Sequence, residues 1–563
     1  MNPFFQTGPK LSNQFEADRV LRSILKRKLP PQVHAVVEKD LRRFGERTAT
    51  DLLELSIAAE KVKPRLVQFD PWGRRIDFIE TSQAWKDLDA VSAQEGIVAA
   101  GYEREYGSLS RLVQFAKLFL YQPSSAIYTC PLAMTDGAAR LIEVHGDEEL
   151  KRGAFKHLTS RDPKQFWTSG QWMTERAGGS DVGGTQTEAR VENGQYRLYG
   201  DKWFTSATTS QMAMTLARLP GAPEGSRGLS LFYLELRDAD GKLKNIRVNR
   251  LKDKLGTDAL PTAELTLEGT PAKLVGGEGG GVRKIATLFN VTRMYNACCA
   301  VGNMRRAIAL ARDYAPKRIA FGKPLSEQPL HLETLAWMQV QFEAALHLVM
   351  HASELLGKEE LGEASAQDSA VLRGLMPIVK LFTAKQGVSV VSEVVESFGG
   401  AGYIEDTGIP RILRDTQVLA IWEGTTNVLS LDLLRAIEKE GAFEALVGAT
   451  QARLGAITHA ELASSTARAR DALSRVMAFL PKAAKAGPDA IQTAARVFAF
   501  SVARVFAAAL LLEHAQWSLE NEKDRRSMAA AIRWCASDLT EGLVAEVLLT
   551  PEHRLDSRDL AMD

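Results

Sequence analysis

The spacing of hydrophobic positions changes along the chain and predicts four segments. Over about residues 13–165 these positions recur at helical intervals, which predicts α-helices. Over about 166–276 they alternate or run for strand lengths between turn residues, as in QYRLYGDKWFTS and LSLFYLELR, which predicts β-strands. Helical spacing returns over 282–440, and an Ala-rich helical segment follows from 442 onward.

Helices therefore precede and follow a compact β domain and do not alternate with strands. This order argues against a doubly wound parallel sheet, and hence against a Rossmann cofactor site. We predict a mainly α protein with a central β domain. Its predicted domains are an N-terminal helical domain (1–165), a middle β domain (166–276), a helical-bundle domain (277–440) and a C-terminal helical extension (441–563).

Composition and charge exclude several classes of protein. The chain has 563 residues, 45% hydrophobic and 25% charged, as ordinary globular proteins do. Its net charge of +1 offers no bulk attraction to nucleic acid or to an acidic membrane. The four cysteines form no CxxC pair, the nine histidines show no HExxH spacing, and no GxSxG is present. We therefore expect no metal site and no serine hydrolase.

Targeting and membrane segments are not expected either. The start, MNPFFQTGPK, lacks a charged region followed by an apolar one, so we expect neither a secretory nor a transit signal. The uncharged stretch Leu118 to Thr135 contains two prolines, which disfavours a membrane span. The apolar stretch from Val497 to Leu512 is expected to pack against another subunit or to touch lipid. A cytoplasmic location follows as an expectation.

Two segments of the β domain combine polar groups with aromatic or glycine residues. QWMTERAGGSDVGGTQT sets hydroxyls such as Thr174 and Ser180 among glycines, which suits an extended anionic or heteroaromatic ligand or, equally, a polar hairpin. In KWFTS, Trp203 and Thr205 stand two apart, so an unbroken strand would place both on one face. That pair could also belong to the core. The Gly-rich GGEGGGV lacks phosphate-loop spacing and is interpreted as a turn.

Three later segments carry further candidates. Arg318, in KRIAFGKP, suits bidentate contact with a phosphate or ends a solvated helix. Gly399 and Gly400 allow close approach of a ligand to the backbone or serve as a helix cap. Glu423 stands beside Trp422 in an apolar run, a setting that suits a general base. Alone, it is equally a surface residue at a turn.

Taken together and in order, these segments resemble the acyl-CoA dehydrogenase family, most closely its AidB-like branch. The resemblance covers about Leu66 to Arg435. The family motifs VTEPGAGSD, W-x-T/S, R-x-x-FG, the GG loop, the RD pair and [YW]EGT have counterparts in MTERAGGSD, WFTS, RIAFG, SFGG, RD and WEGT. GRRIDFIE, LKDKLG, MRRA, EQPL and WEGTTNVLSLDLLR point to the AidB-like branch.

The resemblance implies the family fold: a helical N-terminal domain, a β-barrel-like middle domain and a helical bundle, here with an extra C-terminal helical domain. It also implies FAD as cofactor and an obligate homodimer or homotetramer. The cofactor-binding residues that it implies are Met173 and Thr174 at the flavin pyrimidine edge, Ser180 at the pyrophosphate, Trp203 and Thr205 at the ring and its N5 side, Arg318, Phe321, Gly399 and Gly400 at the adenosine diphosphate of a neighbouring subunit's FAD, and Thr425 and Asn427 closing over the cofactor.

The implied reaction is α,β-desaturation of a fatty acyl-CoA thioester. Glu423 occupies the family's base position, and hydride would pass from the β carbon to flavin N5. Some branches place the base on a preceding helix, but Asn290 to Arg293 contains no carboxylate, and Arg293 is expected to bind substrate. Electron-transferring flavoprotein is the expected acceptor. Glu396, where many relatives carry Gln, is expected to weaken FAD binding unless its side chain turns away.

The C-terminal segment bears on two rival functions. In AidB-like proteins such a domain has been linked to DNA, and a phosphate-binding domain should be basic. Here residues 441–563 contain 14 Lys and Arg against 15 Asp and Glu, a net charge of −1, so nucleic acid binding is not expected. The alternatives to the dehydrogenase are a low-turnover acyl-chain or acyl-CoA carrier and a DNA-associated damage-response flavoprotein.

Overall fold

The computed structural model describes residues 6–540, 542–543, 549–550 and 559–562. It confirms a mainly α protein with a central β domain. The longer and shorter α-helices are α1 (Arg19–Lys28), α2 (Pro31–Arg47), α3 (Asp51–Glu60), α4 (Gln83–Gln94), α5 (Ala100–Glu103), α6 (Ser110–Tyr121), α7 (Thr129–His145), α8 (Glu148–Leu150), α9 (Lys156–Leu158), α10 (Gly281–Tyr314), α11 (Pro329–Glu360), α12 (Ala366–Ser397), α13 (Ile409–Gln417), α14 (Thr426–Glu440), α15 (Ala442–Gly455), α16 (Ala463–Ala486), α17 (Pro488–Asn521) and α18 (Arg526–Ala536).

Most of the strands lie in the middle of the chain. They are β1 (Arg65–Phe69), β2 (Arg75–Glu80), β3 (Ser169–Gln171), β4 (Glu188–Glu192), β5 (Gln195–Ser206), β6 (Met212–Arg218), β7 (Leu229–Glu235), β8 (Ile246–Leu251), β9 (Thr262–Leu274), β10 (Ile319–Ala320) and β11 (Lys323–Pro324). Contacts between residues divide the chain into two compact units. The barrel unit comprises 47–105 and 117–295, and the helical unit comprises the described residues of 1–46, 106–116 and 296–563.

The strands β6, β4, β5, β9 and β7 form a closed ring in the barrel unit, because β7 pairs with both β9 and β6. Strand β8 adds to β9, and β3 adds to β6 in parallel. This closure confirms the barrel-like middle domain. Strand β6 is apolar on both faces: Ala213 and Ala217 belong to the core cluster of the sheet, whereas Met212 and Met214 pack with residues of α7 and α10 such as Leu288.

A β-bulge interrupts the pairing of β5 with β9. Lys202 pairs with Leu265, and the register resumes only at Thr205 opposite Ala263, so Trp203 and Phe204 together face one residue of β9. Phe204 adopts the left-handed region with φ +56°. Bulges re-aim side chains and often lie near functional sites. The expectation that Trp203 and Thr205 lie on one face of a strand is therefore wrong, because the bulge interrupts the alternation of side chains between them.

The helical unit includes the N-terminal segment as well as the C-terminal extension. Buried Arg305 on α10 donates from Nε to Asp18 Oδ2 at 2.9 Å, and Asp18 also accepts the backbone N–H of Leu21 at the start of α1. Arg111 forms a second buried ion pair, with Glu360 at 2.7 Å. Residues of the predicted domain 1–165 therefore fall partly in the barrel unit and partly in the helical unit. The four-domain division itself stays a prediction.

The apolar stretch from Val497 to Leu512 lies in the interior of the helical unit. It belongs to α17, which packs against α11, α12, α14, α15, α16 and α18. Among the described residues α17 is the one helix long and apolar enough to cross a membrane, but 89% of its apolar window is buried within the protein. The expectation that this stretch contacts another subunit or lipid is therefore wrong, because helices of the same chain already cover it.

Three buried histidines lie where α11, α15 and α17 pack together. The rings of His347 and His514 are 4.6 Å apart, and His514 Nε2 lies 3.0 Å from Ser23 Oγ. His351 Nε2 lies 3.1 Å from an Nη atom of Arg453. The pKa of His347 is well below its usual value, that of His351 is lowered to about 4 and that of His514 to about 3, chiefly by burial. Nearby cations contribute to all three shifts, whereas Glu354 opposes the shift at His351.

We expect mild acid to destabilise the protein through this cluster. The unfolded chain protonates histidine near pH 6.5, whereas the folded chain excludes the proton until about pH 4 at His351. Stability is therefore full above pH 7 and falls as pH drops below 6.5, by about 2 kcal/mol at pH 5 for one such group. Urea unfolding between pH 7 and pH 5 measures this fall. His351→Gln should make the slope shallower, with His347 and His514 accounting for the remainder, and His34→Gln, on α2, should leave it unchanged. A flat wild-type profile contradicts the expectation.

Candidate active site

The residues predicted for the site divide between the two units. The barrel unit contains Met173, Thr174, Ser180, Trp203, Thr205 and Arg293. The helical unit contains Arg318, Phe321, Gly399, Gly400, Glu423, Thr425 and Asn427.

In the barrel unit, one hydrogen bond connects the loop after β3 to the bulge in β5. The backbone N–H of Trp203 donates to the carbonyl oxygen of Thr174 at 2.8 Å. Met173, just before Thr174, is buried in the core between the sheet and the helices. The structure thus brings together the Met-Thr motif and the Trp motif, which are thirty residues apart in the sequence.

A buried ion pair fixes this loop to the sheet. Lys202 Nζ lies 2.7 Å from Glu175 Oε1, and both side chains are almost completely buried. Glu175 also accepts hydrogen bonds from the Thr187 hydroxyl at 2.5 Å and from the backbone N–H of Gln186 at 2.6 Å. Burial alone would raise the pKa of Glu175, but the ammonium of Lys202 and these hydrogen bonds outweigh it and lower that pKa. Glu175 is therefore ionised at neutral pH.

The rest of the loop leaves hydroxyl groups for a ligand. A Cβ on Gly179 would come 2.7 Å from Thr174 Oγ1, so only glycine permits this close fold. Ser180 is exposed and Thr174 half-buried, and within the described parts of the chain neither hydroxyl has a hydrogen-bond partner. Such groups suit the polar edge of a heteroaromatic ring and a phosphate oxygen.

The side chains at the bulge differ in exposure. The Trp203 ring is half-buried and Phe204 is exposed, whereas Thr205 is buried. The Thr205 hydroxyl donates to the carbonyl oxygen of Ala263 at 2.6 Å, which leaves its oxygen able to accept a hydrogen bond. Arg293 lies half-buried on α10.

In the helical unit, Arg318 and Phe321 belong to the short hairpin of β10 and β11. Phe321 is 100% exposed at the hairpin tip, with φ +52°, and Gly322 follows at φ +83°. Arg318 donates from Nη1 to Gln6 Oε1 at 3.3 Å. A fully exposed aromatic ring and a guanidinium group in the same short segment suit contact with a flat, negatively charged ligand.

The paired glycines follow α12 in a 3₁₀ turn. Gly399 and Gly400 are exposed, and a Cβ on either would meet open space. They therefore leave room for a ligand rather than packing against the chain's own residues. Glu396, one turn earlier, is exposed as well, so its carboxylate has the freedom to turn away from a phosphate.

Glu423 lies on a strained turn just before α14. It adopts φ +58°, and Gly424 follows at φ +102°. Lys380, fully buried on α12, donates from Nζ to the carbonyl oxygen of Gly424 at 2.6 Å and so holds the turn. Thr425 is the N-cap residue of α14, and both it and Asn427 are exposed at the positive end of that helix dipole.

Three buried charged residues support the site and had not been predicted to do so. They are Lys202 and Glu175, which adjoin Trp203 and Thr174 in the chain, and Lys380, which donates to Gly424. A signal existed for Lys380, a single cation in the apolar run PIVKLF of a long helix, where an unpaired charge would be costly. Lys202 and Glu175 gave no such signal, because charged residues in strands and loops usually face solvent.

Models of protein families match four consecutive stretches of the chain. Residues 8–162 match the adaptive response protein AidB N-terminal domain, 170–270 the acyl-CoA dehydrogenase middle domain, 279–438 the acyl-CoA dehydrogenase C-terminal domain, and 441–557 the acyl-CoA dehydrogenase 11 C-terminal domain-like family. Acyl-CoA dehydrogenase family member 11 of Caenorhabditis elegans is 44% identical over 549 residues, which cover 94% of this chain and 88% of the relative. The chain belongs to the acyl-CoA dehydrogenase family. The first and last matches confirm the AidB-like branch and the extra C-terminal helical domain.

Other relatives agree with this acyl-CoA dehydrogenase assignment. The putative acyl-CoA dehydrogenase AidB of Escherichia coli K12 is 33% identical over 72% of this chain and 75% of its own length. The crystal structure of C. elegans ACDH-11 in complex with C11-CoA has a TM-score of 0.96 at 41% identity and covers 100% of this chain and 97% of its own. The apo form of Bd2924 has a TM-score of 0.86 at 52% identity, with 91% and 100% covered.

The family's cofactor is FAD, and the residues in both units fit it. In the barrel unit, whose residues are all described, the hydroxyls of Thr174 and Ser180 have no hydrogen-bond partner, and the backbone of Thr174 is hydrogen-bonded to that of Trp203, whose ring is half-buried. In the helical unit, the open glycines and exposed Phe321 leave space for a large ligand. This donor set matches a ligand with a pyrophosphate and a heteroaromatic ring.

We expect Lys380→Met to impair the turn that carries Glu423. The change removes a charged donor from the Gly424 carbonyl, and such hydrogen bonds contribute about 1.5–3 kcal/mol. The free energy of unfolding, measured in urea, should fall by that amount, and the rate of cofactor reduction by substrate should fall at least about tenfold. Lys385→Met, a half-buried lysine on the same helix, is the matched control. Equal effects of the two variants would contradict this role.

Proposed function

We propose that this chain is an FAD-dependent acyl-CoA dehydrogenase that desaturates a fatty acyl-CoA thioester between its α and β carbons, with Glu423 as base. The observation that carries the proposal is the strained, anchored turn at Glu423. A non-glycine residue at φ +58° costs free energy and persists only when its surroundings hold it. The buried Lys380 supplies that hold through Gly424.

The chain's residues supply proton transfer and polarisation. The Glu423 carboxylate takes the α proton, whose acidity is low until the thioester carbonyl is polarised. The backbone N–H of Glu423 is the chain's own candidate donor to that carbonyl oxygen, the kind of contact worth about 3–4 kcal/mol in other enzymes. FAD, when bound, accepts the hydride that leaves the β carbon.

In the barrel unit, the flavin and its pyrophosphate would be held by Thr174, Ser180, Trp203 and Thr205. In the helical unit, Thr425 and Asn427 would add contacts from the N-terminus of α14. Arg318, Phe321, Gly399 and Gly400 would bind the adenosine diphosphate of a neighbouring subunit's FAD, which requires a homodimer or homotetramer. The full exposure of Phe321 is compatible with this, because its ring is accessible to a ligand of another subunit.

The substrate class is a fatty acyl-CoA, with Arg293 as a further contact. In support, the C. elegans relative was solved with C11-CoA, an acyl chain of medium length. We propose electron-transferring flavoprotein as the electron acceptor and the cytoplasm as the location.

Nucleic acid is not proposed as a ligand. Cations on the C-terminal helices have acidic partners: Arg526 lies 2.9 Å from Asp524 and Arg475 lies 3.1 Å from Asp471, and Arg525 pairs with Glu461. These pairs neutralise charges that a phosphate backbone would need. They support a solvated face of mixed charge.

We expect Glu423→Gln to slow cofactor reduction by acyl-CoA about 10²–10⁴-fold while FAD stays bound. Loss of a general base costs about 10²–10⁴-fold, and Gln keeps the size of the side chain. The experiment titrates the FAD-loaded protein anaerobically with acyl-CoAs of increasing chain length and follows bleaching of the flavin absorption. Glu438→Gln, an exposed glutamate on α14, is the matched control and should bleach as the wild type does.

The same titration decides between the dehydrogenase and the carrier. A wild-type protein that binds acyl-CoA tightly but never bleaches would contradict the dehydrogenase and favour the low-turnover carrier. Bleaching of Glu423→Gln at the wild-type rate would assign the base elsewhere.

A further inference from the structure

Three strands of the barrel meet at the bulge that carries Trp203. The extra residues of β5, Trp203 and Phe204, face Glu264 on β9. On its other side, Glu264 pairs in register with Arg250 on β8. Lys252 follows one residue after β8 ends, and its backbone N–H donates to the carbonyl oxygen of Thr262 at 2.8 Å. Glu264 is therefore the central residue of a row that runs from β8 to the bulge.

The Lys252 side chain extends along this row, and its ammonium group lies over the aromatic rings of the bulge. Its Nζ lies 3.4 Å from the centre of the Trp203 ring and 4.6 Å from that of Phe204. The same nitrogen lies 2.5 Å from Glu264 Oε1, and only 10% of the Lys252 side chain is exposed. An ammonium group over an indole face is attracted by the ring, more strongly where water is excluded.

Charges around the row keep this arrangement fixed. Arg250 also reaches Glu264, with Nη2 2.6 Å from Oε1. Burial alone would raise the pKa of Glu264, but hydrogen bonds from Lys252 and Arg250 outweigh it and lower that pKa. The carboxylate therefore stays ionised at neutral pH and restrains the ammonium. The exposed guanidinium of Arg176 lies 5.2 Å from the same Trp203 ring.

We propose that Lys252, restrained by Glu264, is a positioning residue that sets the orientation of the Trp203 ring, and that flavin binding depends on Lys252 through this ring. The inference rests on the proposed function in one respect, namely that Trp203 contacts the flavin. The bulge gives the reason that a positioning residue is needed. Trp203 lies outside the regular strand ladder, so the sheet alone does not fix its side chain.

The test compares Lys252→Met, which keeps the length of the side chain without its charge, with Lys252→Arg, which keeps a cation able to stack on indole. Each is made in the wild type and in a Trp203→Leu background, which removes the aromatic ring at this position, and FAD is titrated into the apo protein. Lys252→Met should raise the FAD dissociation constant about tenfold, and Lys252→Arg should restore most of the affinity. In the Trp203→Leu background, Lys252→Met should have no further effect.

A second measurement needs no flavin. The near-ultraviolet circular dichroism of the apo protein should change in Lys252→Met, and that change should vanish in the Trp203→Leu background. If Lys252→Met folds poorly, Glu264→Gln takes its place in the test. This variant keeps the ammonium of Lys252 but removes the charge that restrains it, and it should shift both measurements in the same direction. The control is Lys244→Met, whose lysine pairs with Glu235 at 3.0 Å on the same barrel; it should change neither measurement.

The outcomes separate this inference from the proposed function. An equal effect of Lys252→Met with and without Trp203 would overturn the inference, as would a Lys252→Met protein that behaves as Lys244→Met does. If the wild type binds no FAD, the proposed function fails, and the circular dichroism still decides whether Lys252 orients Trp203.

Discussion

The buried ion pair between Lys202 and Glu175 is the interaction on which the predicted site residues of the barrel unit depend. Removing two charges from water costs several kcal/mol for each ion, so such a pair survives only when its remaining hydrogen-bonding capacity is used. Here Thr187 and the backbone of Gln186 complete the shell of Glu175. Lys202 directly precedes Trp203, whose N–H donates to Thr174, directly before Glu175. The two motifs are therefore joined at consecutive residues, and the loop and the bulge form one rigid piece.

Strained backbone recurs at the predicted site motifs of both units. Phe204, Phe321 and Glu423 are all non-glycine residues in the left-handed region, with φ between +52° and +58°. Each such residue costs on the order of 1–3 kcal/mol, which the surrounding structure must supply. Glycines follow Phe321 and Glu423 and complete their turns, whereas at Phe204 the neighbouring strand β9 holds the bulge. The motifs that look like short sequence signatures are thus places where the chain turns sharply and projects a side chain.

Much of the fold could be predicted from the sequence because the spacing of apolar residues changes where the architecture changes. Order and type of the motifs predicted the family. The bulge could not be predicted, since QYRLYGDKWFTS has the pattern of one continuous strand. The position of α17 in the interior was missed for a related reason: an Ala-rich apolar helix has the same composition whether its own chain or another molecule covers it. The pairing of Asp18 with Arg305 joins residues 287 positions apart, and local pattern contains no information about such a contact.

The buried lysines of the site illustrate how charge can organise a binding surface without occupying it. Lys202 is neutralised by Glu175, Lys252 is restrained by Glu264, and Lys380 is directed at a backbone carbonyl. Each cation therefore acts on the chain itself and holds a loop, a ring or a turn. The hydroxyls of Thr174 and Ser180, which are neutral and lack protein partners among the described residues, remain for a ligand. Because the charged groups are already satisfied, a ligand does not have to reorganise them when it binds, which is the condition for precise positioning at low cost.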